Sequence, residues 1–298
     1  MSESVILEDI DDQSYHSDRA SLSSSGARLL LPPGCPAKFK QRMDCPPPPS
    51  RVFDFGTLAH SMVLGKGAEL VVLEPEIHGL TKDGSVAANP RATATWKAAE
   101  AEARESGRLP VHIEDWAKAQ AMAAQVLHHP MAGPLFREDG RAEVSIYADD
   151  PVTGVRLRAR PDWMFDDADG RLVIVDLKTT ADAYPQTWVR SAAKYGYEVQ
   201  FAWYVTVAKL AGLSDSPAFL FVNIEKESPY LISVVELDAE AFEAGLTRMR
   251  QAIDIYAKCI ETDTWPGYGD GIHLISLPPW ALPHRTTMGD LLGAELES

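Results

Sequence analysis

The chain has 298 residues, 45% hydrophobic and 24% charged, an ordinary globular balance with ample material for a core. No apolar run approaches 18 residues, and the start Met1-Ser2-Glu3-Ser4 is acidic, without the basic and apolar regions of a signal peptide, so neither a membrane span nor export is expected. The formal charge of −15, taken alone, speaks against a nucleic-acid partner.

Charge distribution weakens that objection. Residues 1–20 hold six acids and one arginine, whereas residues 21–51 hold Arg28, Lys38, Lys40, Arg42 and Arg51 against Asp44. Arg156, Arg158 and Arg160 alternate, which places them on one face of a strand. Cys35, Cys45 and Cys259 are few and far apart, which suits a reducing cytoplasm and gives no zinc or iron–sulfur spacing.

Residues 1–20 are expected to be flexible. Ser21-Leu22-Ser23-Ser24-Ser25 precedes Gly26 to Leu31, a serine-capped short helix stopped by Pro32-Pro33. Cys35 to Lys40 reads as a second short helix, and Pro46 to Pro49 as a stiff linker. Val52 to Leu64 repeats apolar residues at helical spacing and ends at Gly65, with His60 inside it. A lone histidine of this kind is ordinarily structural. Glu69 to Leu73 fits a strand, Thr93 to Glu105 and Ile113 to Leu127 fit helices, and His128-His129 fit solvated residues at a helix end rather than a metal pair.

From Arg141 the period changes to two. Ala142 to Tyr147, Val155 to Asp162 and Leu172 to Lys178 predict three successive strands in a meander. A helix over Tyr184–Tyr195, a longer one over Tyr197–Ala211, strands over Ala218–Glu225 and Tyr230–Leu237, and a long helix capped by Asp238 complete the pattern; residues 271–298 form a proline-rich tail. The fold class is α/β (α+β), a mixed central sheet flanked by helices, with residues 21–135 mainly helical and residues 141–262 carrying the sheet of one domain over 21–270.

The chemistry concentrates in Arg160-Pro161-Asp162-Trp163 and Val173 to Thr180. A hairpin brings Asp162 to Asp176, and Lys178, two residues on, shares the face of Asp176. Two carboxylates and an ammonium at a strand end suit magnesium, which takes one or two carboxylates, water and substrate phosphate, with the Leu177 carbonyl as a further oxygen. Water on such a metal attacks a phosphodiester, and Lys178 orients it or neutralises the developing charge. Glu143 is either a further ligand or a solvated strand-end acid. A bare D-x-K is by itself commonly a surface ion pair. Gln200 and Tyr204, four apart, share a helix face.

Together, R-P-D-W, V-D-L-K-T-T, Q-x-x-x-Y and the preceding G-x-x-x-H resemble the PD-(D/E)xK nuclease superfamily, within it the RecE-like (exonuclease VIII) branch with RecB-type nuclease motifs, typical of phage and prophage recombination loci. Tyr15-His16, the serine cluster, Phe53-Asp54-Phe55-Gly56 and Trp265-Pro266-Gly267-Tyr268 extend the likeness over residues 15–270. By resemblance, Asp162 and Asp176 are metal-binding acids, Lys178 the catalytic lysine, His60 a residue beside the metal and scissile phosphate, and Gln200 and Tyr204 the supporting helix pair. Relatives with an iron–sulfur cluster use four cysteines, so none is expected here. The resemblance implies a cytoplasmic, Mg²⁺-dependent exodeoxyribonuclease, with Mn²⁺ able to substitute. It would degrade linear duplex DNA from its ends, 5′ to 3′, as a toroidal homo-oligomer beside a single-strand annealing protein. A ring would reconcile an acidic exterior with a basic channel, assigned here to Arg156, Arg158, Lys38 and Lys40. The alternatives are a non-catalytic DNA-end-binding or assembly protein that retains the fold, or another metal-dependent nuclease acting on RNA or internally.

Overall fold

Pro161 divides the β-rich centre of the chain. It has no N–H to give a ladder and restricts Arg160 before it, so the alternating stretch from Val155 cannot continue as one strand. The computed structural model describes residues 4–8, 10–46, 51–67, 69–136 and 139–282; for residues 12, 13, 51–54 and 279 it describes the backbone but not the side chains. Most of the expected Pro46–Pro49 linker lies outside the described residues.

In chain order, β1 (Val5–Leu7) and α1 (Asp12–Ser17) precede β2 (Leu22–Ser23), which runs into α2 (Ser24–Leu30). The Ser23 hydroxyl caps α2 by accepting the Gly26 N–H at 3.2 Å. α3 (Pro36–Asp44) begins on proline, and α4 (Arg51–Leu64) stops at Gly65, whose φ of 65° suits a residue without Cβ. β3 (Leu70–Leu73), α5 (Pro75–His78), α6 (Ala94–Glu105), β4 (Leu109–His112) and α7 (Ile113–His128) complete the first half, with β3 and β4 paired in parallel. Then come β5 (Arg141–Ala142), β6 (Ser145–Asp149), β7 (Arg156–Ala159), β8 (Trp163–Asp166), β9 (Leu172–Thr180), α8 (Pro185–Tyr195), α9 (Tyr197–Leu210), β10 (Ala218–Glu225), β11 (Ile232–Val235) and α10 (Ala239–Thr262).

The expected three-strand meander is corrected. The β6–β7 hairpin belongs to a four-stranded sheet of order β1-β6-β7-β2, and the β8–β9 hairpin to a five-stranded sheet of order β11-β10-β9-β8-β5. The chain changes sheets at Arg160-Pro161-Asp162, between β7 and β8. In the second hairpin Trp163 lies opposite Val175 and Asp166 opposite Leu172, and the turn closes with Gly170 at φ 75°. β9 and β10 are parallel, with α8 and α9 as the crossover.

β9 reads as an unbroken apolar run because both faces of its sheet are covered. Val173, Val175 and Leu177 pack with Ala59 and Val63 of α4 and Met122 and Val126 of α7. Ile174 faces the other way, into a core with Trp203 of α9, Ala252 and Ile253 of α10 and Leu30 of α2. Each such buried side chain contributes roughly 1.5–3 kcal/mol. Asp176 continues the Ile174 face and therefore points toward α9.

The described part of residues 1–20, expected from the sequence to be flexible, makes contacts with the rest of the chain. Ile6 pairs with Ile146, Tyr15 is buried, and Arg160 donates to the Ile10 carbonyl at 2.8 Å. Residues 1–267 form one unit and residues 268–298 another. Among the described residues no helix is long and apolar enough to cross a membrane, and the three cysteines are unbridged.

Candidate active site

The register of the β8–β9 hairpin, carried one pair beyond Trp163–Val175, sets Asp162 against Asp176. Asp162 Oδ2 accepts the Leu177 N–H at 2.7 Å, which ties the end of one strand to the middle of the next. Asp176 is 2% exposed; its Oδ1 accepts from Gln200 Nε2 at 2.5 Å, and its Oδ2 forms an ion pair with Lys178 Nζ. Lys178 also lies 5.0 Å from the centre of the Tyr197 ring.

His60 arrives from the opposite face of the sheet, on α4. Its Nδ1 meets the Gly56 carbonyl at 2.8 Å, and its Nε2 meets the Leu177 carbonyl at 2.6 Å and Asp162 Oδ2 at 3.3 Å. Carbonyl oxygens only accept, so both ring nitrogens donate and the ring is an imidazolium. Burial opposes that charge, but the Asp162 carboxylate and the two carbonyls outweigh it and push the His60 pKa up to about 9. Asp162 is desolvated too, yet His60, Lys178 and the Leu177 N–H hold its pKa below the usual carboxylate range. For Asp176 burial prevails: Lys178 pulls the pKa down, Asp162 pushes it up, and it ends raised.

Tyr204 touches neither acid. Its hydroxyl donates to the Arg160 carbonyl at 3.1 Å and fixes the main chain two residues before Asp162. Glu143 is beside Asp162 through the backbone, its N–H donating to the Asp162 carbonyl at 3.1 Å, and it holds a left-handed φ of 52°. That region is uncommon for a residue with a Cβ and marks a constrained backbone at this point.

The donors suit a hard divalent cation. Asp176 Oδ2 is buried against the Lys178 ammonium, and Gln200 Oε1 beside it is buried without a hydrogen-bond partner. Two carboxylates and the Leu177 carbonyl give oxygen ligands that leave room for water and phosphate. The expected side-chain set of Asp162, Asp176, His60 and Glu143 is not a preformed cage: among the described residues no three His, Cys, Asp or Glu side chains converge on one point. His60 is turned to Asp162 and Leu177, while Asp176 is engaged by Lys178 and Gln200.

Asp162, His60, Glu143 and Tyr204 line a cleft of about 1200 Å³. Arg19, Arg28, Arg42, Lys66 and Lys194 line it as well. The channel cations expected from the sequence need correction. Arg156 pairs with Asp149 at 2.9 Å; Lys40 pairs with Asp44 at 3.0 Å over the Trp265 ring; Lys38 reaches the Pro33 carbonyl at 3.5 Å. None of these three lines the cleft, and Arg158, which does, is 6% exposed and bound to Asp18 at 3.1 Å. Alternation put the arginines on one face but could not show that the acidic N-terminal segment covers it. The true cleft cations were missed because each comes from a different element, with no shared motif.

Residues 23–278 match the family described as PDDEXK-like domain of unknown function (DUF3799). The chain belongs to this PDDEXK-like family. Its fold resembles the crystal structure of a candidate exonuclease from Eubacterium rectale, with a TM-score of 0.56 at 12% identity over 86% of this chain and 87% of that one. The protein SSO0001 aligns at 15% identity over 69% of this chain and 84% of that one, with a TM-score of 0.30 that carries no weight. No curated protein matches. The family's fold is thus the restriction-endonuclease-like mixed α/β fold, as expected. Pro161-Asp162 and Asp176-Leu177-Lys178, the motif expected from the sequence, lie within the matched residues.

Proposed function

We propose that this chain is a magnesium-dependent exodeoxyribonuclease that degrades linear duplex DNA from its ends, 5′ to 3′, and leaves a 3′ strand for recombination. The observation that carries the reading is the convergence of Asp162, Asp176, the Leu177 carbonyl and Lys178, beside a cleft whose rim is cationic on a protein of net charge −15. Acidic surface elsewhere repels DNA, while a locally positive cleft attracts its backbone.

Asp162, Asp176 and the Leu177 carbonyl would hold the cation. When bound, it supplies Lewis acidity at the phosphate and an activated water. Gln200 holds the Asp176 carboxylate in one orientation through Nε2, as the Leu177 N–H holds Asp162. Lys178 places its ammonium where charge develops on the phosphoryl oxygens, and its contact with Tyr197 keeps it there. His60 carries a proton facing Asp162 and the Leu177 carbonyl, and that proton must yield before a cation takes the same oxygens. Mn²⁺ would substitute for Mg²⁺, since both accept oxygen ligands. Assembly as a ring and partnership with a single-strand annealing protein rest on the resemblance.

The reading is tested by incubating linear and covalently closed circular duplex DNA, labelled at either 5′ or 3′ ends, with protein and Mg²⁺. Nucleotide release from linear DNA only, beginning at 5′ ends, is expected. Cutting of closed circles would replace the exonuclease by an endonuclease, and release from 3′ ends would reverse the polarity.

A further inference from the structure

The cleft carries an aromatic side chain that the proposed chemistry leaves unused. Tyr195, the last residue of α8, is 53% exposed and lines the same cleft as His60 and Asp162. Its ring centre is 5.8 Å from that of Tyr197, whose ring stands 5.0 Å from Lys178 Nζ. Tyr195 is therefore joined to the reacting centre through a single intervening ring. Cations flank it: Lys194 Nζ lies 5.4 Å from its ring centre, and Arg28 Nη1 donates to its carbonyl at 2.9 Å.

The backbone there is fixed. Gly196 follows Tyr195 with φ 69°, and a Cβ on it would come within 3.1 Å of Arg28 Cδ. Glycine thus serves both the left-handed turn from α8 into α9 and the close passage of the Arg28 side chain. Tyr197 is buttressed in turn, its ring stacked at 5.7 Å on Trp188 and at 5.5 Å on Phe221. An exposed ring on a rigid mount has little freedom to lose when a flat ligand covers it.

An exposed aromatic ring with one cation over it and another at its main-chain carbonyl fits an unpaired nucleotide: the base stacks on the ring and the phosphates meet the cations. A base inside an intact duplex has both faces covered by its neighbours and cannot do this. We infer that Tyr195, with Lys194 and Arg28, is a stacking platform that holds the unpaired terminal nucleotide of the substrate beside the scissile phosphate. This rests on the nuclease reading above and adds to it a preference for single-stranded or frayed ends. Lys194 covers the ring when no strand is bound; on binding it yields the ring to the base and its ammonium moves to the adjoining phosphate.

The test is equilibrium binding, with Ca²⁺ in place of Mg²⁺, of a labelled oligothymidylate carrying one 2-aminopurine, compared with a blunt duplex, to wild type, Tyr195→Phe and Tyr195→Ala. Tyr195→Ala is expected to weaken single-strand binding about tenfold or more, the loss appropriate to one stacked base, while duplex binding changes less than about twofold. Tyr195→Phe should bind as wild type does. Quenching of 2-aminopurine should survive in the phenylalanine variant and vanish in the alanine variant, which a merely structural role would not produce. Unchanged single-strand affinity in Tyr195→Ala, or equal loss on both DNAs, overturns the platform alone. Wild type that binds neither DNA overturns the nuclease reading together with it. Arg28→Gln, which should weaken single-strand binding while sparing the ring, guards against a folding defect confined to the Tyr195 variants.

Discussion

Gln200 and His60 act on the two acids from opposite faces of one sheet, and each makes a separate prediction. Gln200→Leu removes the donor on Asp176 Oδ1 and leaves a buried carboxylate less stabilised in its charged form. Cation affinity should fall about 10- to 100-fold, the usual effect of losing a group that orients a ligand, and calorimetric Mn²⁺ titration would measure it. His60 governs a pH dependence. Its pKa is raised from 6.5 to about 9, so the folded protein holds the proton more tightly than the unfolded chain. The resulting stabilisation is complete below pH 6.5 and disappears as pH rises through 9, on the order of 3 kcal/mol. Melting of cation-free wild type and His60→Asn from pH 6 to pH 10 should show a gap that closes with pH. A constant gap would mean that the ring does not gain a proton from Asp162 and the two carbonyls.

Elements joined by local signals were legible; their assembly was less so. Ser23 capped its helix and Asp238 its own, and the helix carrying His60 ended at Gly65 as the spacing required. The D-x-K geometry followed from the two-residue period alone. What period could not show was which strands pair: the run expected over Val155–Asp162 crosses the proline that ends β7 ahead of β8, and that proline sits inside the motif itself. That break sets Asp162 in the passage between the sheets, where its carbonyl also receives the Glu143 N–H. A second element-scale feature was invisible in sequence. Gly245 lets α10 lie against α9, since a Cβ there would come within 2.1 Å of the Glu198 carbonyl oxygen. Gly245→Ala gains helix propensity but forces the two helices apart, and chemical denaturation should report a net loss of about 2 kcal/mol or more. Equal or greater stability would show that α9 and α10 separate without cost.

For the whole molecule, net charge misled until it was resolved in space. Asp18 of the acidic N-terminal segment neutralises Arg158 of β7 and Asp149 neutralises Arg156, while Arg19, Arg28, Arg42, Lys66 and Lys194, drawn from distant parts of the chain, line the cleft. Replacing Arg19 and Arg42 by glutamine should weaken duplex binding and make the dependence of log affinity on log salt shallower by roughly 2, about 0.9 for each lost phosphate contact. An unaltered slope would place the DNA elsewhere. The central claim is that Asp162, Asp176 and Lys178 form a cation-dependent phosphodiester-cleaving site. Its most direct test is single-turnover cleavage of end-labelled linear duplex in Mg²⁺ by wild type and by Asp176→Asn, which keeps the size of the side chain and removes its charge. The account predicts rapid cleavage by wild type and a rate at least about a hundredfold lower in the variant; equal rates would contradict it.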